Sequence, residues 1–169
     1  MLVYLFADQA EVFSWTWWGG LLIQILLAGV TSAATAFAIL HRRNRELQRR
    51  SIDAAIEQYI QLGMQYPEME DPTYCKSWSS DSLSDNRKVR YEFFCCFIFN
   101  LIETLHEFYG GDVAKITDHL YVDEMIELHH SWWSNNSENR LGYGKDFRNF
   151  VDARWKEVCL LYTSDAADE

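Results

Sequence analysis

Hydrophobic and polar positions divide the chain sharply into two regimes. Residues 12–40, VFSWTWWGGLLIQILLAGVTSAATAFAIL, contain no charged side chain. A bilayer's hydrocarbon core is about 30 Å thick and is crossed by about 20 apolar residues in a helix. This run is long enough to cross it with some tilt. Residues 51–64 continue at helical spacing, with Ile52, Ile56, Tyr59, Ile60 and Gly63 as the apolar stripe. No Pro or Gly divides this stretch from the run before it, so one long helix over residues 13–65 is expected, ended by Pro67 and Pro72. Residues 66–87 read as a polar loop closing in SWSSDSLSDN.

The remaining elements are helical as well. Residues 89–109 are aromatic nearly all round, which predicts a central buried helix with Phe93, Phe97, Asn100, Leu101, Thr104, Leu105 and Phe108 on one face. Gly110 and Gly111 end it. Asp112 opens a short helix to about residue 119. Residues 122–133 form the next helix, with acids in its first turn where the helix dipole favours them. SNNSEN is a turn, and residues 146–158 make the last helix, with Phe147, Phe150, Val151 and Trp155 on one side. Nothing alternates like a strand. The expected fold is all-α, with an N-terminal transmembrane helix continuing into a small cytoplasmic helical bundle.

Charge orients this arrangement. The head, residues 1–11, carries Asp8 and Glu11 and no cation, whereas residues 41–50, HRRNRELQRR, hold Arg42, Arg43, Arg45, Arg49 and Arg50. Positive charge follows the apolar run, which places the N-terminus outside and residues 51–158 in the cytoplasm, and it argues against a cleaved signal peptide. The expected location is the inner (plasma) membrane, single-pass. Trp15, Trp17 and Trp18 fall where an interfacial aromatic belt belongs, and the arginines fall where they reach anionic headgroups. Gly19, Gly20, Gly29, Ser32, Ala33 and Ala36 allow close helix packing within the membrane.

The net charge of −10 and the lack of a basic face beyond this flank exclude nucleic acid as an expected partner. Residues 159–169, CLLYTSDAADE, resemble the translation of a transposase sequencing adaptor and are read as a non-native tail, with the natural chain ending or cut near Val158. Setting aside Asp165, Asp168 and Glu169 brings −10 to −7. The remaining thiols, Cys75, Cys95 and Cys96, lack disulfide or zinc spacing and read as reduced, buried small hydrophobes. Trp132 and Trp133 read as core.

One constellation could carry chemistry. Glu103/His106 and Glu127/His130 are two Glu-x-x-His pairs, each on one helix face. Di-metal carboxylate bundles use such pairs with two further carboxylates, here Glu57 and Glu92. The plainer reading makes Glu103 a structural partner of Arg140, with Arg148 and Lys145 as alternatives. There is no Gly-rich phosphate loop, no G-x-S-x-G and no H-E-x-x-H. His41 reads as solvated and His119 as a helix-end cap.

Around FNLIETLHEFYGG, IELHHSWW and NRLGYGKDFRNF the chain resembles the bacterial domain-of-unknown-function family 4760. The shared features are Phe99, Asn100 and Glu103 on an aromatic helix, Trp132 and Trp133, Arg140, and a closing helix with Phe147 and Phe150. The resemblance implies one span, a basic flank and a helical cytoplasmic domain; with the tail it implies a bacterial, metagenomic origin. By layout the chain is also similar to membrane-anchored HEPN-like helpers of RNA-targeting CRISPR systems, but it lacks their Arg-x(4–6)-His ribonuclease signature. The expected function is that of a non-enzymatic, cofactor-free interaction module at the lipid bilayer, self-associating or binding a protein partner. The alternatives are an oligomeric stress or antiphage membrane effector and a metal-binding enzyme.

Overall fold

The structure is a computed structural model. It describes the backbone of residues 15–79, 85–135 and 137–165, and their side chains except 15–17, 85, 137, 139 and 161–165. Among the described residues every regular element is helical. Two compact units, Met1–Leu47 and Gln48–Glu169, divide the chain. Helix α1, Trp15–Gln65, contributes residues to each.

Among the described residues, α1 between Trp18 and Leu40 is predominantly apolar and almost wholly exposed. Leu22, Ile25, Leu26, Val30, Phe37 and Leu40 are each between 57% and 72% exposed. Its few hydroxyls turn inward along the helix: Thr31 Oγ1 donates to the Leu27 carbonyl at 2.9 Å and Thr35 Oγ1 to the Thr31 carbonyl at 2.8 Å. Both groups are thereby satisfied without solvent. Among the described residues this is the one helix long and apolar enough to cross a membrane.

The second unit is ordered by burial. The last turns of α1 bury Ile52 and pack Ala55, Ile56, Tyr59 and Leu62 against the core, and Tyr66 just after the helix joins them. Ile52, Ile56 and Tyr59 of the expected stripe face the core, whereas Ile60 is 54% exposed and Leu62 packs inward instead. Gly63 lies under Glu70, where an added Cβ would stand 3.0 Å from Oε1. Burial and the Glu70 carboxylate beside it push the Tyr59 hydroxyl's pKa up.

The region read as a polar loop holds a 3₁₀ turn, Pro67–Glu70, and helix α2, Pro72–Ser77. Asp71 caps α2, its Oδ1 accepting from the backbone N–H groups of Thr73 (2.8 Å) and Tyr74 (2.9 Å). Met69, Cys75 and Trp78 from this stretch are core residues.

Helix α3, Asp85–Tyr109, buries Tyr91, Phe94, Cys95, Ile98, Phe99, Ile102 and Leu105. Of the face expected from the sequence, Leu101 and Leu105 are buried and Phe108 packs on the core, but Phe93 is 70% exposed, and Asn100 and Thr104 are exposed. A helix apolar all round carries no unique face, so its neighbours choose one. Gly110 (φ +64°) and Gly111 (φ +77°) end α3 in the left-handed region, and Gly111 N–H donates to the His106 carbonyl at 2.9 Å.

Helix α4, Val113–Thr117, is capped by Asp112. Helix α5, Val122–Asn135, packs against α2, α3, α6 (Ser137–Leu141) and α7 (Lys145–Asp165). It buries Val122, Met125, Ile126, His129, Trp132 and Trp133, spaced by three and one as a core stripe requires. Trp132 and Trp133 are fully buried, with ring centroids 5.4 and 4.6 Å from that of Phe99. The expected SNNSEN turn thus ends α5 and begins α6, with residue 136 outside the described residues. The last helix extends past the expected residue 158, but Val158 is the last buried residue described; Cys159 is half-buried and Leu160 is 68% exposed.

Candidate functional site

Two places gather the chain's reactive side chains. The first is an open cleft of about 420 Å³, formed where the end of α3 meets the start of α7. Glu103, His106 and Glu107 line it from α3, and Lys145, Asp146 and Phe147 from α7. A smaller hollow of about 220 Å³, lined by Cys96, Asn100, Glu103, Gly142 and Tyr143, adjoins it through Glu103.

Glu103 sets the geometry here. Its Oε1 accepts a hydrogen bond from the Gly144 N–H at 3.2 Å, while the Gly144 carbonyl accepts from Arg148 N–H at 3.0 Å in the first turn of α7. A carboxylate from α3 therefore caps the positive end of α7, satisfying a donor that the helix itself leaves over. His106 is held by packing. Its ring lies 4.7 Å from that of Phe150 and 5.8 Å from that of Phe147, and its Nε2 would be 3.2 Å from a Cβ at Gly111.

The expected Glu103–Arg140 ion pair is replaced by other partners. Arg140 pairs with Asp152 and lies 5.5 Å over the Trp133 ring. Asp152 also accepts from Trp133 Nε1 at 3.1 Å. Arg154 binds Asp123 and Glu157, and this network ties α5 to α7. A backbone amide satisfies Glu103, so no cation is needed there.

The second Glu-x-x-His pair is placed differently. His130 stacks on Trp155 at 3.7 Å and 9°, and burial holds its pKa below the ordinary histidine value against the opposing charge of Asp152. Glu127 is half-buried, Glu92 half-buried, and Glu57 exposed beside Gln61. Among the described residues no group of three or more His, Cys, Asp or Glu side chains is arranged to hold a metal ion. The two pairs are not gathered into one centre.

The second gathering place was not expected. His129 is fully buried, with Tyr91 Oη 2.9 Å from its Nδ1 and the sulfurs of Cys75 and Cys95 at 3.9 and 3.8 Å. Cys75 also donates to the Met69 carbonyl at 3.1 Å. His129 Nε2 is buried without a partner among the described residues. Burial drives all four groups toward their neutral forms. It lowers the His129 pKa to about 3, raises the Cys75 thiol to about 11, and pushes Cys95 and Tyr91 far up. Thiols held protonated and away from solvent are poor nucleophiles. The signal for this cluster was the α5 stripe itself, on which His129 takes a core position.

Of the remaining histidines, His41 is exposed as expected and stacks on Phe37 at 6.2 Å. The His119 side chain, expected to cap a helix end, partners Tyr109 instead, its Nε2 lying 2.6 Å from Tyr109 Oη near the end of α4.

On α1, Trp18, Arg42, Arg43, Arg45, Arg49 and Arg50 are exposed, while the side chains of Trp15 and Trp17 lie outside those described. A Cβ at Gly19, Gly20 or Gly29 would meet nothing within 4 Å, and Ser32, Ala33 and Ala36 are exposed. The small-residue face is open within one chain. Compared with known protein families, curated proteins and solved structures, the chain matches none.

Proposed function

We propose that this chain is a membrane-anchored, non-enzymatic helical module at the inner membrane, N-terminus outside, that self-associates through its span or presents its cytoplasmic unit to a protein partner. The observation that carries the reading is the uncovered apolar surface of α1. Among the described residues its large aliphatic side chains, such as Leu22, Leu26 and Val30, are more than half exposed, and in water such a surface would aggregate. Lipid is the solvent that suits it. The open faces at Gly19, Gly20 and Gly29 suit a second helix at close range.

The second unit supports the non-enzymatic part by what its reactive groups already do. Glu103 caps a helix, His106 and His130 pack on aromatic rings, and His129, Cys75 and Cys95 are sealed in the core.

Alkaline extraction of membranes from cells expressing the full chain tests the anchor. The protein is expected to stay with the lipid pellet; release into the supernatant would contradict the reading. Cross-linking through Gly29→Cys then tests self-association. A disulfide-linked dimer is expected if the small-residue face pairs, and only monomer if the module works through another protein.

A further inference from the structure

The flank after the apolar run is chemically selective. Residues 41–50 contain five arginines and no lysine, against the single acid Glu46. Charge alone does not require this choice. A guanidinium differs from an ammonium in presenting a planar fork that binds the two oxygens of a phosphate together. Arg42, Arg43 and Arg45, all in the first unit, are exposed.

Their height along the helix is the second observation. From Trp18 to Arg42 the helix rises ~36 Å at about 1.5 Å per residue. The hydrocarbon core is about 30 Å thick. With Trp18 at one interface, the guanidinium groups of Arg42, Arg43 and Arg45 reach the phosphate level of the opposite leaflet. Every residue between Trp18 and His41 is uncharged, so these are the first fixed charges met on leaving the lipid.

We propose that Arg42, Arg43 and Arg45 each bind the phosphate of an anionic phospholipid headgroup around the helix, held by guanidinium forks rather than by charge alone. This rests on the anchoring reading above and names its lipid partner. Headgroup binding at this level would set the depth of the span and enrich anionic lipid around the protein.

The test uses the full chain, as wild type, as R42K/R43K/R45K and as R42Q/R43Q/R45Q. Each is reconstituted into vesicles of phosphatidylcholine with phosphatidylglycerol and then subjected to alkaline extraction. All three are expected to remain in the vesicles; extraction of the wild type would overturn the anchoring reading and this one with it.

Retained lipid is then counted by native mass spectrometry from a neutral detergent. The wild type is expected to keep phosphatidylglycerol over phosphatidylcholine. The glutamine variant should lose that preference by roughly 100-fold, and the lysine variant by about tenfold, although its charge is unchanged. Full retention by the lysine variant would overturn the fork, and no preference in an inserted wild type would overturn the site. Displacement of phosphatidylglycerol by an equal concentration of inorganic phosphate would assign the site to soluble phosphate and overturn the lipid assignment.

Discussion

The apolar part of α1 and helix α5 are both rich in large hydrophobic residues, yet they meet opposite fates. Between Trp18 and Leu40 almost every side chain of α1 is exposed. Along α5 the apolar side chains fall on one stripe, and Trp132, Trp133, Ile126 and Val122 are fully buried. The opposite face of α5 carries Asp123, Glu124 and Glu127. A helix in water needs such a polar face. A helix in lipid does not, and segment 18–40 carries no charged side chain, its polar residues being Gln24, Thr31, Ser32 and Thr35. The lesson is that apolar content does not distinguish a helix suited to lipid from a core helix; the absence of charge over a membrane's width does.

The most severe way to break this contrast is to give the span a charged face. Leu26→Arg with Val30→Arg should oppose insertion by about 6 kcal/mol, since a central arginine costs about 3 kcal/mol on insertion scales. The doubly substituted chain should leave the membrane fraction, as followed by immunoblot after alkaline extraction.

A core change should act on the other side of the comparison alone. Trp133→Ala is expected to destabilise the second unit by about 3–5 kcal/mol, because a fully buried ring against Phe99, Tyr143 and Phe147 is lost. Trp18→Ala, at 56% exposure, should leave the unit's melting unchanged. Thermal denaturation of the detergent-solubilised chain, followed by near-ultraviolet circular dichroism, separates the two.

Acid should loosen the second unit through His129. Its folded pKa, about 3, lies below the ordinary value of 6.5, so the unfolded chain takes up a proton that the folded chain refuses. Stability is therefore flat above about pH 6.5 and falls as pH is lowered toward 3, by about 2 kcal/mol at pH 5. Chemical denaturation at pH 7 and pH 5 should show the loss, and His129→Leu should remove this share of it. The smallest effect is expected at the cleft. Glu103→Ala uncaps α7 and should cost about 1 kcal/mol, while Glu103→Gln keeps the acceptor for Gly144 N–H and should cost less.

The apolar run, the basic flank, the glycine stop after α3 and the tryptophan core were legible because each is a local pattern. A charge-free stretch, a Gly-Gly pair and a stripe at helical spacing need no partner to be recognised. What escaped depended on distant partners. Met69 and Trp78 sit in a polar stretch, and their burial depends on distant partners such as Tyr91 of α3, whose ring lies 6.0 Å from that of Trp78. Phe93 was placed inside and Tyr91 was not, because α3 is apolar all round and its orientation is decided by α5. Glu103 was recognised as a group needing a partner, and with His106 it does line one cleft. That partner is the backbone N–H of Gly144, which no side-chain pattern announces.

The central claim is that segment 18–40 faces lipid while the second unit faces the aqueous cytoplasm. The direct measurement is labelling of single cysteines by a membrane-impermeant maleimide, in a chain with Cys96 and Cys159 replaced by serine. Leu26→Cys should stay unlabelled in intact and in lysed cells, because lipid covers it. Tyr121→Cys, at a position 73% exposed, should be labelled only after lysis. Labelling at position 26 in lysed cells, or at position 121 in intact cells, would contradict the account.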